Sequence, residues 1–149
     1  MIARRSPAEI ERIDRACRLV RQVLAELAAA AQEGITTAEL DEIAEKLTLD
    51  GGARPAFKGY MGYPASVCIS VNEEVIHGIP GPRKLEAGDL VSLDFGVLLD
   101  GYYGDSAVTT GVGALDPESE RLSRVTRESM LLGIEQARAG NRISDIGHA

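Results

Sequence analysis

Residues 90–111 read LVSLDFGVLLDGYYGDSAVTTG, two alternating stretches joined by Asp100-Gly101. An Asp-Gly pair flanked by alternating apolar residues is the strongest short-range signal for a two-residue hairpin. With Asp100 and Gly101 as the loop, Leu99 faces Tyr102, Gly96 faces Asp105 and Asp94 faces Ala107. Strand side chains repeat every second residue, so Asp94 and Gly96 share a face and Asp105, opposite Gly96, points the same way. The two carboxylates are diagonal neighbours.

Val91, Leu93, Phe95, Val97 and Leu99 occupy the other face of the first strand, so the hairpin is expected to be substantially buried. Like charges about 5 Å apart repel by roughly 3 kcal/mol at an effective dielectric near 20. A buried pair therefore needs a shared proton or a cation. The residues alone leave two readings open: half of a carboxylate-rich divalent metal site, or a solvated pair on an open sheet face. Asp94-Phe95-Gly96 also spells the kinase metal-binding triplet, a chance match without the Gly-rich loop, strand lysine and catalytic-loop motifs of that chemistry.

The 149 residues suit one domain with a real core, and 44% apolar residues with mixed charge indicate a globular chain. A net charge of −7 argues against a general nucleic-acid binder. Residues 1–21 hold six arginines against Glu9, Glu11 and Asp14, a local +3 that leaves −10 for the rest. That helix face reads as solvated, with contact to a phosphate-rich partner such as a ribosome as the alternative. No apolar run approaches the roughly 18 residues of a membrane span, and MIARRSPAEIER is charged where a signal peptide needs its apolar segment. A cytoplasmic location is expected. Cys17 and Cys68 fit no zinc or CxxC spacing, which suggests a reducing compartment.

Ser6, Pro7 and Glu9 spell a capping box that opens a first helix. Its apolar stripe runs Ile10, Ile13, Cys17, Val20, Leu24, Leu27, Ala31 and is expected to lie on a sheet. Gly34 ends it, and Thr36 with Glu39 caps a second helix carrying Leu40, Ile43, Ala44 and Leu47 to about Leu49. Residues 50–64 are Gly/Pro-rich, yet Phe57, Tyr60 and Tyr63 are three of the six aromatic residues in the chain, with Met61 beside them. They serve either as core plugs under a loop or as the wall of an apolar pocket. Residues 66–72, SVCISVN, form a short β-branched strand. His77 follows in a loop stiffened by Pro80 and Pro82, either structural or able to donate a hydrogen bond to a substrate carbonyl. Asp116-Pro117 starts a third helix with Leu122, Val125, Met130, Leu132, Ile134 and Ala137, Gly140 closes it, and Ser144-Asp145-Ile146 opens a fourth. His148 reads as surface or core. Sliding the sequence by 106 residues lays Gly140 on Gly34, Asp145 on Glu39 and Ile146 on Leu40. That order suggests an internal duplication, with the chain as its first half.

Taken together, FKGYMGYPASVCISVNEEVIHGIPGPRKLEAGDLVSLDFGVLLDGYYGDSAVTTGVG, residues 57–113, closely resembles the N-terminal half of type I methionine aminopeptidases. The resemblance implies an α+β fold of the pita-bread (creatinase/aminopeptidase-like) kind: two helices, a curved antiparallel sheet, then the start of a second pseudo-repeat. It implies a single incomplete domain over 1–149, with the first αβ half at 6–114 and the opening helices of the second at 115–149. By position it makes Asp94 a metal ligand and Asp105 a bridging one. His77 becomes the catalytic and substrate-binding group that contacts the scissile amide, and Phe57, Tyr60, Tyr63 and Cys68 surround the methionine side chain. Tyr103 stands where members often have His beside Gly-Asp, without being a ligand.

The implied chemistry is hydrolysis assisted by two divalent metal ions about 3.5–4 Å apart, of Co, Mn, Fe or Zn. Its substrates are N-terminal Met peptides or nascent chains with a small second residue, and the full-length protein is expected to be a monomer. The family completes its site with one His and two Glu from its second half, and His148 precedes that ligand His and does not replace it. A chain with only Asp94 and Asp105 is expected to bind metal weakly and to show little peptidase activity. A catalytically dead binding module, or half-protein needing a complementing chain, is the alternative. HGIP placed before the hairpin argues against the X-Pro peptidases of the same fold.

Overall fold

The structure is a computed structural model that describes residues 4–149. It divides into a first unit ending at Ala114 and a second, Leu115–Ala149.

In the first unit, helix α1 (Pro7–Ala30) starts at the capping box. The Ser6 amide donates to Glu9 Oε2 at 2.8 Å and the Glu9 amide to Ser6 Oγ at 3.3 Å. Helix α2 (Thr37–Asp50) repeats the device, the Thr36 amide donating to Glu39 Oε2 at 2.8 Å. Each box satisfies backbone donors that the first helical turn leaves unpaired. Gly34, at φ +91°, makes the turn between them.

The sheet comprises β1 (Arg54–Pro55), β2 (Val67–Val71), β3 (Leu90–Leu99) and β4 (Tyr102–Gly111), all antiparallel to the central β3. β1 and β2 share one edge of β3, against residues 97–98 and 91–95 respectively, while β4 covers the other. Asp100 at φ +50° and Gly101 at φ +81° form the tight loop. Both central residues being left-handed suits the mirror-image turn that matches the strand twist. Register follows the expected pairing, with Leu99 opposite Tyr102, Gly96 opposite Asp105 and Asp94 opposite Ala107.

Val91, Leu93, Phe95 and Val97 are fully buried in one core with Leu27 of α1 and Leu40 and Ala44 of α2. Each large side chain so buried contributes about 1.5–3 kcal/mol. The apolar stripe of α1 differs from expectation in its first half. Ile10 is 55% exposed, Cys17 is exposed, and Ala16 is the buried residue. The cause is Gly104 on β4: a Cβ there would lie 2.6 Å from the carbonyl carbon of Ala16. Backbone meets backbone at this crossing, which rotates the seam toward the small residue.

In the second unit, helix α3 (Pro117–Gln136) is capped by Asp116, whose Oδ1 accepts from the Glu118 amide at 2.8 Å and the Ser119 amide at 3.1 Å. Helix α4 (Ile143–His148) begins one residue before the expected Ser144, because the Arg142 amide donates to Asp145 Oδ2 at 2.7 Å and makes residue 142 the cap. A shift of 106 residues lays the end of α1 on the end of α3 and the start of α2 on the start of α4. Gly34 falls on Gly140, at φ +97°. No helix of the described residues is long and apolar enough to cross a membrane.

Candidate active site

β3 and β4 turn one face to the core and the other to a hollow of about 530 Å³. Asp94 lies in the middle of β3, between Cys68 on β2 and Ala107 on β4. Asp105, opposite Gly96, is two pairs nearer the loop and therefore on the same face. Gly104 explains why it stands there: the glycine faces α1 and admits the helix, so its neighbour must face the hollow.

Burial is less than the sequence suggests. Asp94 is half-buried and Asp105 is exposed, because β4 is an edge strand whose hollow face is open among the described residues. Even so, burial pushes the Asp94 carboxyl above its ordinary range, Asp105 pushes it further, and His77 pulls the other way. Among the described residues neither carboxylate has an ion-pair partner. Two converging oxygen donors with unneutralised charge fit a hard or borderline divalent cation. They supply part of a coordination shell only, since among the described residues no group of three or more ligand side chains converges.

The walls come from the loop before β2. A Cβ on Gly96 would meet Phe57 Cε1 at 2.9 Å, so the glycine makes room for the ring beside Asp94. Tyr60 is 69% exposed and Met61 91% exposed, so these side chains line the hollow and do not plug a core. Gly59 at φ +86°, Met61 at +48° and Gly62 at +85° bend the chain around it. The Tyr63 hydroxyl lies 2.9 Å from the Gly78 carbonyl and 3.1 Å from that of Val67. Burial above all, then Cys68, Asp41 and Asp94, holds its pKa up, so it stays a neutral donor. Cys68 is 5% exposed. Burial pushes its thiol up, with Asp94, Asp105 and Asp41 adding to the effect and the nearby Tyr63 hydroxyl opposing it. A raised pKa disfavours the thiolate, so the thiol lines the hollow as a neutral wall.

His77 is exposed, at φ +58°, on the rim of the same hollow. Phe57, Tyr60, Tyr63, Cys68, His77, Asp94 and Asp105 therefore come together, joined by Met61, Gly62, Pro64 and Ile79. Ile79 was readable within His-Gly-Ile-Pro, as an apolar residue held between Gly and Pro. Asp41 was not: it looks like a surface acid of α2, yet its Oδ1 accepts from the amides of Ser66 at 2.7 Å and Val67 at 3.0 Å, anchoring the start of β2. Tyr103 shares the face of Asp105, 64% exposed and outside the lining. His148 is exposed in the second unit.

A model of metallopeptidase family M24 matches residues 11–149. The chain belongs to metallopeptidase family M24. This M24 chain is 47% identical over 150 residues to methionine aminopeptidase 1 of Mycobacterium tuberculosis, covering 100% of itself and 56% of that protein. It is 46% identical over 149 residues to methionine aminopeptidase 1 of Bacillus subtilis, with 100% and 60% covered. The crystal structure of methionine aminopeptidase from Rickettsia prowazekii superposes with a TM-score of 0.97 at 34% identity, over 99% of this chain and 60% of that one. The chain thus spans 56–60% of the length of these relatives. The α+β, pita-bread architecture expected from the sequence is the one it adopts.

Proposed function

We propose that this M24 chain carries the substrate pocket and two of the metal ligands of a methionyl aminopeptidase, which removes initiator methionine from peptides and nascent chains. The observation that carries the reading is the meeting of two carboxylates, a histidine and an aromatic-lined wall in one hollow. Asp94 and Asp105 would hold divalent metal; two ions drawn from Co, Mn, Fe or Zn suit the oxygen donors together with further ligands. Bound metal supplies Lewis-acid activation of water and of the scissile carbonyl.

The chain's own residues do the rest. Phe57, Tyr60, Tyr63 and the neutral Cys68 thiol offer a polarizable apolar wall, and ring edges make favourable contacts with a thioether. His77, on the rim, donates a hydrogen bond to the substrate amide. Two carboxylates are too few ligands for a tight site, so turnover requires further ligands, in keeping with the share of the relatives' length that the chain spans. Arg5, Arg15 and Arg18 are already paired with Glu9, Asp100 and Asp14, which favours a solvated α1 face over a ribosome-binding one. A reducing, cytoplasmic setting agrees with the two free cysteines.

The test uses the complete protein that carries this sequence. Asp94→Asn or Asp105→Asn is expected to lower metal-dependent release of Met from a Met-Ala-Ser peptide by at least about a hundredfold, the scale on which loss of charge stabilisation acts. Undiminished turnover in either variant would end the ligand assignment.

A further inference from the structure

We propose that Ser70 and the Tyr63 hydroxyl are positioning groups that fix His77 by tying down the peptide of the next residue, Gly78. The inference rests on the reading of His77 given above and says how its direction is set.

His77 stands in a loop, exposed and at φ +58°. A non-glycine residue in this region is uncommon and persists where the surroundings hold it. The holding is visible one residue on. The Gly78 amide donates to Ser70 Oγ at 3.1 Å. The Gly78 carbonyl accepts from the Ile69 amide at 2.9 Å and from the Tyr63 hydroxyl at 2.9 Å. Both polar groups of this residue are therefore engaged, and its carbonyl uses two lone pairs. A Cβ on Gly78 would lie 2.1 Å from the Ile69 carbonyl oxygen, so only glycine can be drawn this close to β2.

Ser70 is 4% exposed, so its hydroxyl serves the loop and not solvent. It shares a strand face with Cys68, two residues away, and Cys68 is paired with Asp94. The tie therefore refers the His77 loop to the strand that flanks Asp94. Tyr63 couples it to the pocket as well, because one side chain both lines the hollow and bonds Gly78. A bland reading is that Ser70 merely satisfies a loop amide for stability. That reading predicts no special link between Ser70 and His77.

The experiment compares Ser70→Ala, Ser70→Thr, Tyr63→Phe, His77→Ala and the Ser70→Ala/His77→Ala double variant in the complete protein. Amide hydrogen exchange is read at Gly78 and, as a fold control, at Leu93 in β3. Ser70→Ala is expected to speed exchange at Gly78 about tenfold with Leu93 unchanged, on the scale of one hydrogen bond. It should also lower kcat about tenfold or more with KM within about threefold, as expected when a group acting in the transition state is misplaced. Ser70→Thr, which keeps the hydroxyl, restores both readings. Tyr63→Phe keeps the ring and loosens Gly78 by a smaller factor, about threefold, which preserves the test if Ser70→Ala folds poorly. The double variant is no slower than His77→Ala alone. Unchanged exchange at Gly78 in both Ser70→Ala and Tyr63→Phe, or multiplying effects of Ser70→Ala and His77→Ala, overturns the proposal while leaving His77 its role. Wild-type kcat in His77→Ala overturns the reading of His77 itself.

Discussion

One side of β3 carries Val91, Leu93, Phe95 and Val97, each 0% exposed, while the other carries Asp94, half-buried beside the exposed Asp105. The two faces belong to the same ten residues and differ only in parity. Burial of the first face drives the strand into place, and that burial sets where the second face points. A slip of β3 by one residue would send Asp94 into the core and Val91, Leu93, Phe95 and Val97 into the hollow. The apolar face thus acts as the register device for the polar one.

The largest expected effect lies on the core side. Phe95→Ala should cost about 3–5 kcal/mol by chemical denaturation, from lost transfer energy and the cavity left behind. Asp105→Asn, at an exposed site ten residues along the hairpin, should leave stability within about 0.5 kcal/mol. Equal costs for the two variants would mean that the hollow face also holds the fold together, and the division of labour between faces would fail.

The legible parts were those fixed by neighbours in sequence. Asp100-Gly101 demands two left-handed residues, and from that turn the pairing of Gly96 with Asp105 followed by counting. Ser6-Glu9 and Thr36-Glu39 announced the starts of both helices in the same way. What escaped depends on contacts between distant segments. Cys17 fitted the helical stripe as well as Ala16 did, and only the approach of Gly104 chooses between them. The exposure of Asp105 depends on what covers β4, which alternation within the hairpin does not report. Asp41 and Ser70 give no local sign that their oxygens accept amides at residues 66, 67 and 78.

Gly104 offers the next test, since it faces α1 while its neighbour Asp105 faces the hollow. Gly104→Ala puts a methyl against the Ala16 backbone, and relief requires moving α1 or β4. The expected cost is about 1–3 kcal/mol, typical of overpacking. If β4 moves, Asp105 moves with it, so on the proposed assignment divalent-ion affinity should fall although neither Asp94 nor Asp105 has been substituted. Lost stability with unchanged affinity would show that α1 yields and the hairpin does not.

The smallest effect contrasts two carboxylates. Asp94 on the hollow face is held above its ordinary range by burial first and by Asp105 second. Glu9, at the start of the helix that covers the core face, is lowered from 4.5 to about 2, first by the Ser6 backbone amide, then by the Ser6 hydroxyl and Arg5. A depressed folded-state pKa stabilises above the unfolded value, and the contribution is lost as pH falls from about 4.5 toward about 2. Glu39 is lowered by the matching bonds to Thr36 and acts in the same direction. The Glu9→Gln, Glu39→Gln double variant should therefore lose part of the wild-type dependence of helicity on pH across that window, read by far-UV circular dichroism. Both boxes are solvent-exposed, so screening keeps the difference small. Superimposable acid titrations for the two proteins would mean that the boxes direct the helix starts without contributing measurable acid sensitivity.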